Sequence, residues 1–147
     1  MAVKTDRYDA LKLENQLCFP LYAASRQIVS LYTPYLSELG LTYTQYITFM
    51  VLWENDGITV GDIGKRLFLD NGTLTPMLKK LEQSGYIDRR RSEEDERVVK
   101  IYLTPSGRKL REKCADIPSK VGGCVNIGKD DASDLYRILY KLLEKTS

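Results

Sequence analysis

Three cysteines and no histidine set the chemistry open to this 147-residue chain. With no imidazole, and with Cys18 far in sequence from Cys114 and Cys124, neither a structural zinc nor a histidine-dependent catalytic centre is expected. No metal, cofactor or catalytic residue is therefore assigned. A thiol acts through its thiolate, which the positive end of a helix dipole favours. Cys18, in LENQLCFPLY, falls near the start of a long apolar-periodic stretch and meets that condition. The same spacing also suits a buried cysteine serving as a small hydrophobe, the commoner fate of a free thiol. Cys114 shares a helical stripe with Leu110 and Ile117 and is assigned to the core. Cys124 follows ADIPSKVGG, where Gly122 and Gly123 give its segment room to move.

A second chemistry, recognition of a polyanion, is spelled out over residues 58–103. Residues 60–69 carry Ile63, Leu67 and Phe68 at helical spacing and predict a short amphipathic helix. Asp70, Asn71 and Gly72 are turn residues. Residues 73–84 predict a second helix, with Leu74, Met77, Leu78 and Leu81 as its buried stripe and Gly85 as its stop. Thr73 is the expected N-cap, which places Pro76 in the first turn, where a missing N–H has no partner to lose. Residues 86–91 and 98–103 predict two strands joined by the polar turn 92–96, and residues 58–60 a small third strand beside them. Helix, turn, helix and hairpin make a winged helix-turn-helix, whose second helix enters a major groove. Lys79, Lys80, Arg89, Arg90, Arg91 and Arg97 supply the positive charge that docking on DNA needs. Net charge is only +2, but residues 79–113 hold 11 Lys and Arg against 7 Asp and Glu. The turn's Glu93, Glu94, Asp95 and Glu96 would repel phosphate, so Arg97 must project past them.

The flanks are helical. Residues 1–9 are polar and expected to fray. Over residues 11–39, Leu13, Leu17, Leu21, Ala24, Ile28, Leu31, Tyr35 and Leu39 recur at steps of three and four, which predicts a long amphipathic helix or two joined ones. Pro34 should bend or break its end. Pro20 requires either a helix that begins late, near residue 18, or a bend there. A capped helix over residues 43–55 is apolar on most of its surface and belongs in the core. After the wing, a helix opens at residues 104–107 and contains Leu110, Cys114 and Ile117, with Pro118 and the glycine pair interrupting it. The last, residues 130–145, aligns Leu135, Ile138, Leu139, Leu142 and Leu143. A chain of this size has too little core to cover both flanking stripes. The economical solution is a homodimer, which presents two reading helices to a pseudo-palindromic operator in double-stranded DNA. No apolar run is long enough to span a membrane and no secretory leader opens the chain, so the expected location is cytoplasmic.

DNGTLTPMLKKLEQSGYIDRRRSEEDERVVKIYLT resembles the recognition helix and wing of the MarR family of transcriptional regulators, with Asp95 and Arg97 at its Asp-x-Arg wing signature. NQLCF, LTYTQY and GTLTPMLKKLE further resemble the family's organic hydroperoxide resistance repressors, the OhrR branch. The resemblance implies one MarR-type domain over 1–147, mainly α with a small β-wing. Residues 11–40 and 104–147 would form the dimerisation helices and 43–103 the DNA-binding region. It implies DNA contacts from Asp70, Asn71, Thr73, Thr75, Pro76, Lys79, Lys80, Arg89, Arg90, Arg91, Asp95 and Arg97, the last entering the minor groove. It makes Cys18 the redox sensor of organic hydroperoxide, with Tyr32 and Tyr43 hydrogen-bonding its sulfur across the dimer and Tyr22 nearby. Phenol donors stabilise a thiolate, and Phe19 and Phe49 would admit an organic peroxide. Cys124 stands close to the resolving cysteine of two-cysteine members. Pro20 and Asn71 depart from the branch, which usually has a bulky apolar residue and a serine there. The alternative is a repressor released by a small aromatic ligand, with Cys18 structural.

Overall fold

The computed structural model describes residues 6–147; the first five of the polar N-terminal segment lie outside the described residues. Two short 3-10 turns, Asp9–Leu11 and Leu13–Asn15, precede the first helix, α1 (Cys18–Glu38). The helix thus begins late. Pro20 is its third residue, where the absent N–H has no carbonyl one turn back to lose. It continues without a break through Pro34, an interior proline the sequence led us to expect at a break or bend. α2 (Tyr43–Glu54) opens on a capping box. Gln45 N–H donates to the Thr42 hydroxyl at 3.2 Å, and Thr42 N–H donates to the Gln45 side chain at 3.0 Å. Apolar on nearly every side, α2 buries Tyr46, Thr48, Phe49, Val51 and Leu52 and forms the centre of the core.

β1 (Ile58–Thr59) leads into α3 (Val60–Leu67) and α4 (Asn71–Gln83), and then into β2 (Ile87–Arg91) and β3 (Val99–Leu103). The sheet is antiparallel in the order β1-β3-β2, with Ile58 opposite Ile101 and Arg89 also opposite Ile101 on the other side. β2 is therefore an edge strand. α3 and α4 approach closely because Gly64 has no side chain: a Cβ there would stand 2.6 Å from the Leu69 carbonyl and 3.3 Å from the Leu74 side chain. Ile63, Leu74, Leu78 and Leu81 pack under them with Ile87 and Ile101 from the sheet, all at most 2 % exposed.

One cap expected from the sequence is corrected. Asp70, not Thr73, caps α4, accepting from Thr73 N–H at 2.8 Å and from the Thr73 hydroxyl at 3.2 Å. The helix starts three residues earlier than a Thr73 cap would put it, because an aspartate is the better acceptor for first-turn amides. Pro76 consequently sits inside the helix, and its missing N–H leaves the Gly72 carbonyl without that helical bond.

Beyond the wing, α5 (Pro105–Cys114) and α6 (Ile117–Cys124) replace the single helix read from the sequence. The break falls at Ala115 and Asp116, so Ile117 belongs to α6; Pro118 lies in its first turn, and Gly122 and Gly123 lie within it. α7 (Lys129–Thr146) buries no residue at all. Its Leu135, Ile138 and Leu142 are exposed, as are Leu21 and Ile28 on α1 and Leu17 just before it, with Leu17 at 83 %. An apolar surface of that extent marks an interaction face.

Candidate DNA interface and thiol site

α4 presents two faces. Leu74, Leu78 and Leu81 point into the core, while Asn71, Thr73, Pro76, Lys79 and Lys80 are exposed on the opposite side with Thr75 half-buried at its edge. Asn71 and Thr75 meet the wing at a concavity of about 320 Å³ that Thr59, Arg89, Arg97 and Val99 also line. Four of the expected DNA-binding residues (Asn71, Thr75, Arg89, Arg97) therefore converge on one hollow between recognition helix and wing.

The wing arginines differ in what holds them. Arg97 is 89 % exposed and is gripped by Asp95: its Nε and Nη2 donate to the two carboxylate oxygens at 3.2 and 3.3 Å, and its backbone N–H to Oδ1 at 3.0 Å. These bonds hold the Asp95 carboxyl below the ordinary carboxylate range. The acidic tip thus aims its arginine outward. Arg90 lies over the Tyr102 ring, 4.7 Å from its centroid, and reaches Asp88 at 3.4 Å. Arg91 donates to the Glu96 carbonyl at 3.0 Å, tying the two sides of the turn. Arg89 is turned inward, with its Nη1 3.7 Å from Glu82 Oε2 and its Nε buried without a partner. Glu82 was not among the residues singled out from the sequence, where it reads as one more polar position on a helix.

Cys18 is exposed at the first turn of α1, preceded by Leu17, whose side chain makes no capping bond. Phe19 and Tyr22 are exposed beside it, and Arg26 lies over the Tyr22 ring at 5.3 Å. Phe49 is elsewhere. It has no exposed surface, stacks on Trp53 at 5.6 Å and meets Tyr86 edge-on at 5.7 Å, on the face of α2 that fills the core. Tyr32 and Tyr43 come together with ring centroids 4.9 Å apart, and Tyr46 joins them at 5.8 and 6.2 Å. Tyr46 was missed from the sequence, although it stands one helical turn after Tyr43. Burial, and after it the neighbouring Tyr32, raises the Tyr43 hydroxyl above its ordinary value; the same causes push Tyr46, only 2 % exposed, up to about 12. Tyr43 and Tyr46 therefore stay protonated as donors at neutral pH.

Fourteen residues of α1 separate Cys18 from Tyr32, roughly 21 Å at the helical rise of 1.5 Å per residue. The thiol and its expected phenol partners therefore stand far apart within one chain. Cys114 is buried, and desolvation raises its thiol, as befits a core residue. Cys124 ends α6 exposed, its sulfur 3.5 Å from the Lys120 carbonyl, and Lys120 in turn lies 5.6 Å from the Tyr35 ring near the far end of α1. Among the described residues no cluster suited to a metal ion occurs, and no helix is long and apolar enough to cross a membrane.

A basic helix-and-wing reader flanked by uncovered apolar helices defines a winged helix-turn-helix regulator of the kind that binds DNA as a pair. A family model described as transcriptional regulator SarA/Rot matches residues 30–114. The organic hydroperoxide resistance transcriptional regulator of Bacillus subtilis (strain 168) is 50 % identical over 139 residues, covering 95 % of both chains. AbfR of Staphylococcus epidermidis, solved reduced and bound to DNA, is 36 % identical with a TM-score of 0.76, over 93 % of this chain and 95 % of that one. Its disulfide form is 37 % identical with a TM-score of 0.65, over 90 % and 93 %. This chain belongs to the MarR family of winged-helix transcriptional regulators, in its organic hydroperoxide resistance branch.

Proposed function

We propose that the chain is a dimeric transcriptional repressor that leaves its operator when an organic hydroperoxide oxidises Cys18. The observation that carries this reading is the separation within one chain of an exposed helix-start thiol from a tyrosine cluster at the other end of the same helix. Two copies packed about a twofold axis along the uncovered apolar faces of α1 and α7, with their α1 helices antiparallel, would bring Cys18 of one to Tyr32 and Tyr43 of the other, with Tyr22 beside it. Residues 11–40 and 104–147 then make the dimer, and 43–103 the reader of DNA. Asp70 sets the start of α4; Asn71, Thr73, Thr75, Pro76, Lys79 and Lys80 meet the major groove and its backbone, Arg90 and Arg91 the flanking phosphates, and Arg97, held by Asp95, the minor groove.

The redox step is a displacement on oxygen. Cys18 thiolate attacks the distal peroxide oxygen, the O–O bond breaks, and the leaving alkoxide takes a proton to become an alcohol, leaving the cysteine as sulfenic acid. The phenol O–H groups donate hydrogen bonds to the sulfur. The Cys124 thiol of the second copy then displaces water from the sulfenic acid and closes a disulfide between subunits. That bond changes the spacing of the two reading helices, and loss of one half-site forfeits most of the affinity. The thiol reacts once per cycle, so the protein acts as a switch and not as an enzyme, and it works in the reducing cytoplasm. The test is binding to a duplex selected by the reduced chain from a random pool, with and without cumene hydroperoxide. An oxidised protein that holds the duplex unchanged sinks the redox reading.

A further inference from the structure

We infer that Glu82 and Arg89 form a staple that fixes the wing against the recognition helix, so that Arg89 is a positioning residue and not a phosphate contact. The inference rests on the DNA-binding reading above. α4 and β2 are joined only by the short turn at Ser84, Gly85 and Tyr86, closed by the Tyr86 N–H bonding to the Leu81 carbonyl at 3.1 Å. The second tie is a side chain. Glu82, in the last turn of α4, accepts the Arg89 backbone N–H at 3.1 Å, a donor that edge strand β2 would otherwise point away from its single neighbour. The other oxygen of the same carboxylate faces the Arg89 guanidinium at 3.7 Å. Glu82 lies on the flank of α4 that carries Thr75 and Lys79, seven and three residues back, where a free carboxylate would repel DNA. Its charge is met by Arg89, whose side chain is only 22 % exposed and is not available to reach outward.

The consequence is geometric. A helix in the major groove and an arginine in the minor groove are linked contacts, and the second is favoured only if the first holds it at the right span. Glu82 sets that span.

The test is a double-mutant cycle on affinity for a duplex selected by the reduced full chain from a random pool. Glu82 and Arg97 do not touch, so independent effects would multiply. We expect Glu82→Ala to weaken binding about tenfold in the wild-type background and hardly at all once Arg97→Ala has removed the wing contact. Glu82→Gln, which keeps an oxygen for the Arg89 N–H, should recover most of the loss. Arg89→Met should weaken binding without changing the slope of log K on log salt, whereas Lys79→Met lowers that slope by about one contact. Multiplicative losses in the cycle, or a salt slope that falls with Arg89→Met, overturn the staple. Should Glu82→Ala not fold, as judged by circular dichroism, the cycle is run with Arg89→Met and Arg97→Ala to the same criterion. A wild-type chain that selects no duplex defeats the DNA-binding reading itself, which separates the two failures.

Discussion

At the scale of single residues, a sulfur, its phenol donors and a wing carboxylate each do separable work. Cys18→Ser keeps the size of the side chain and removes its redox chemistry, so reduced DNA binding should persist while cumene hydroperoxide no longer releases the duplex. Gel-shift titration reads both. Tyr32→Phe and Tyr43→Phe each delete a donor but keep the 4.9 Å ring contact. They should slow peroxide oxidation of Cys18 about tenfold or more, if a hydrogen bond to a charged group is worth about 1.5–3 kcal/mol. Stopped-flow sulfenic-acid trapping measures this, and Tyr46→Phe, whose buried ring packs against both, should change the rate far less. Asp95 behaves differently. Its folded pKa is lowered by the Arg97 bonds, so the pairing is fully present above the ordinary carboxylate range and is lost only as pH falls through the lower folded value. A carbon-detected NMR titration of Asp95 should therefore show a midpoint below that of Asp95 in the Arg97→Ala variant.

At the scale of elements, the start of α4 depends on its Asp70 cap. Asp70→Ala removes the acceptor of Thr73 N–H and the partner of the Thr73 hydroxyl, and should cost about 1 kcal/mol of stability by the usual worth of an N-cap, measured by urea denaturation. The same helix shows what could be read from sequence and what could not. The stripe of Leu74, Leu78 and Leu81 is a periodicity, and periodicity survives into the fold because burial enforces it. The cap competed between two good candidates three residues apart: aspartate is the stronger acceptor for first-turn amides, but a Thr73 cap would have kept Pro76 in the first turn. The choice moved Pro76 from the first turn into the helix. The wing was legible down to its short third strand, while the break between α5 and α6 was displaced, since prolines at first-turn positions start helices as readily as they end them. Glu82 was illegible because its partner is a backbone amide on the next element, and Tyr46 because a tyrosine on an apolar helix looks like core.

At the scale of the whole molecule, α1 and α7 decide what the chain becomes. α7 exposes Ile138 at 47 % and has no fully buried residue, which leaves its apolar face open for a second copy to cover. Replacing Ile138 and Leu142 by glutamate should give a monomer in sedimentation and lower affinity for a two-half-site duplex far more than for a single half-site. The dimer also determines which sulfur can resolve Cys18. Within one chain, Cys18 starts α1 while the lysine one turn before Cys124 lies against Tyr35, 17 residues or roughly 25 Å further along. A disulfide needs Cα atoms within roughly 4.4–6.8 Å, so a bond inside one chain requires large rearrangement, and a bond between copies is the economical one. Cys114, buried and with its thiol raised by desolvation, is a poor competitor. Non-reducing mass spectrometry after one equivalent of cumene hydroperoxide should show a Cys18–Cys124 link in the covalent dimer. Cys124→Ser should abolish that dimer, leave the Cys18 sulfenic acid to be trapped, and slow release from DNA. A covalent dimer that survives Cys124→Ser, or one linked Cys18 to Cys18, would remove Cys124 from the mechanism and leave the first oxidation to act alone.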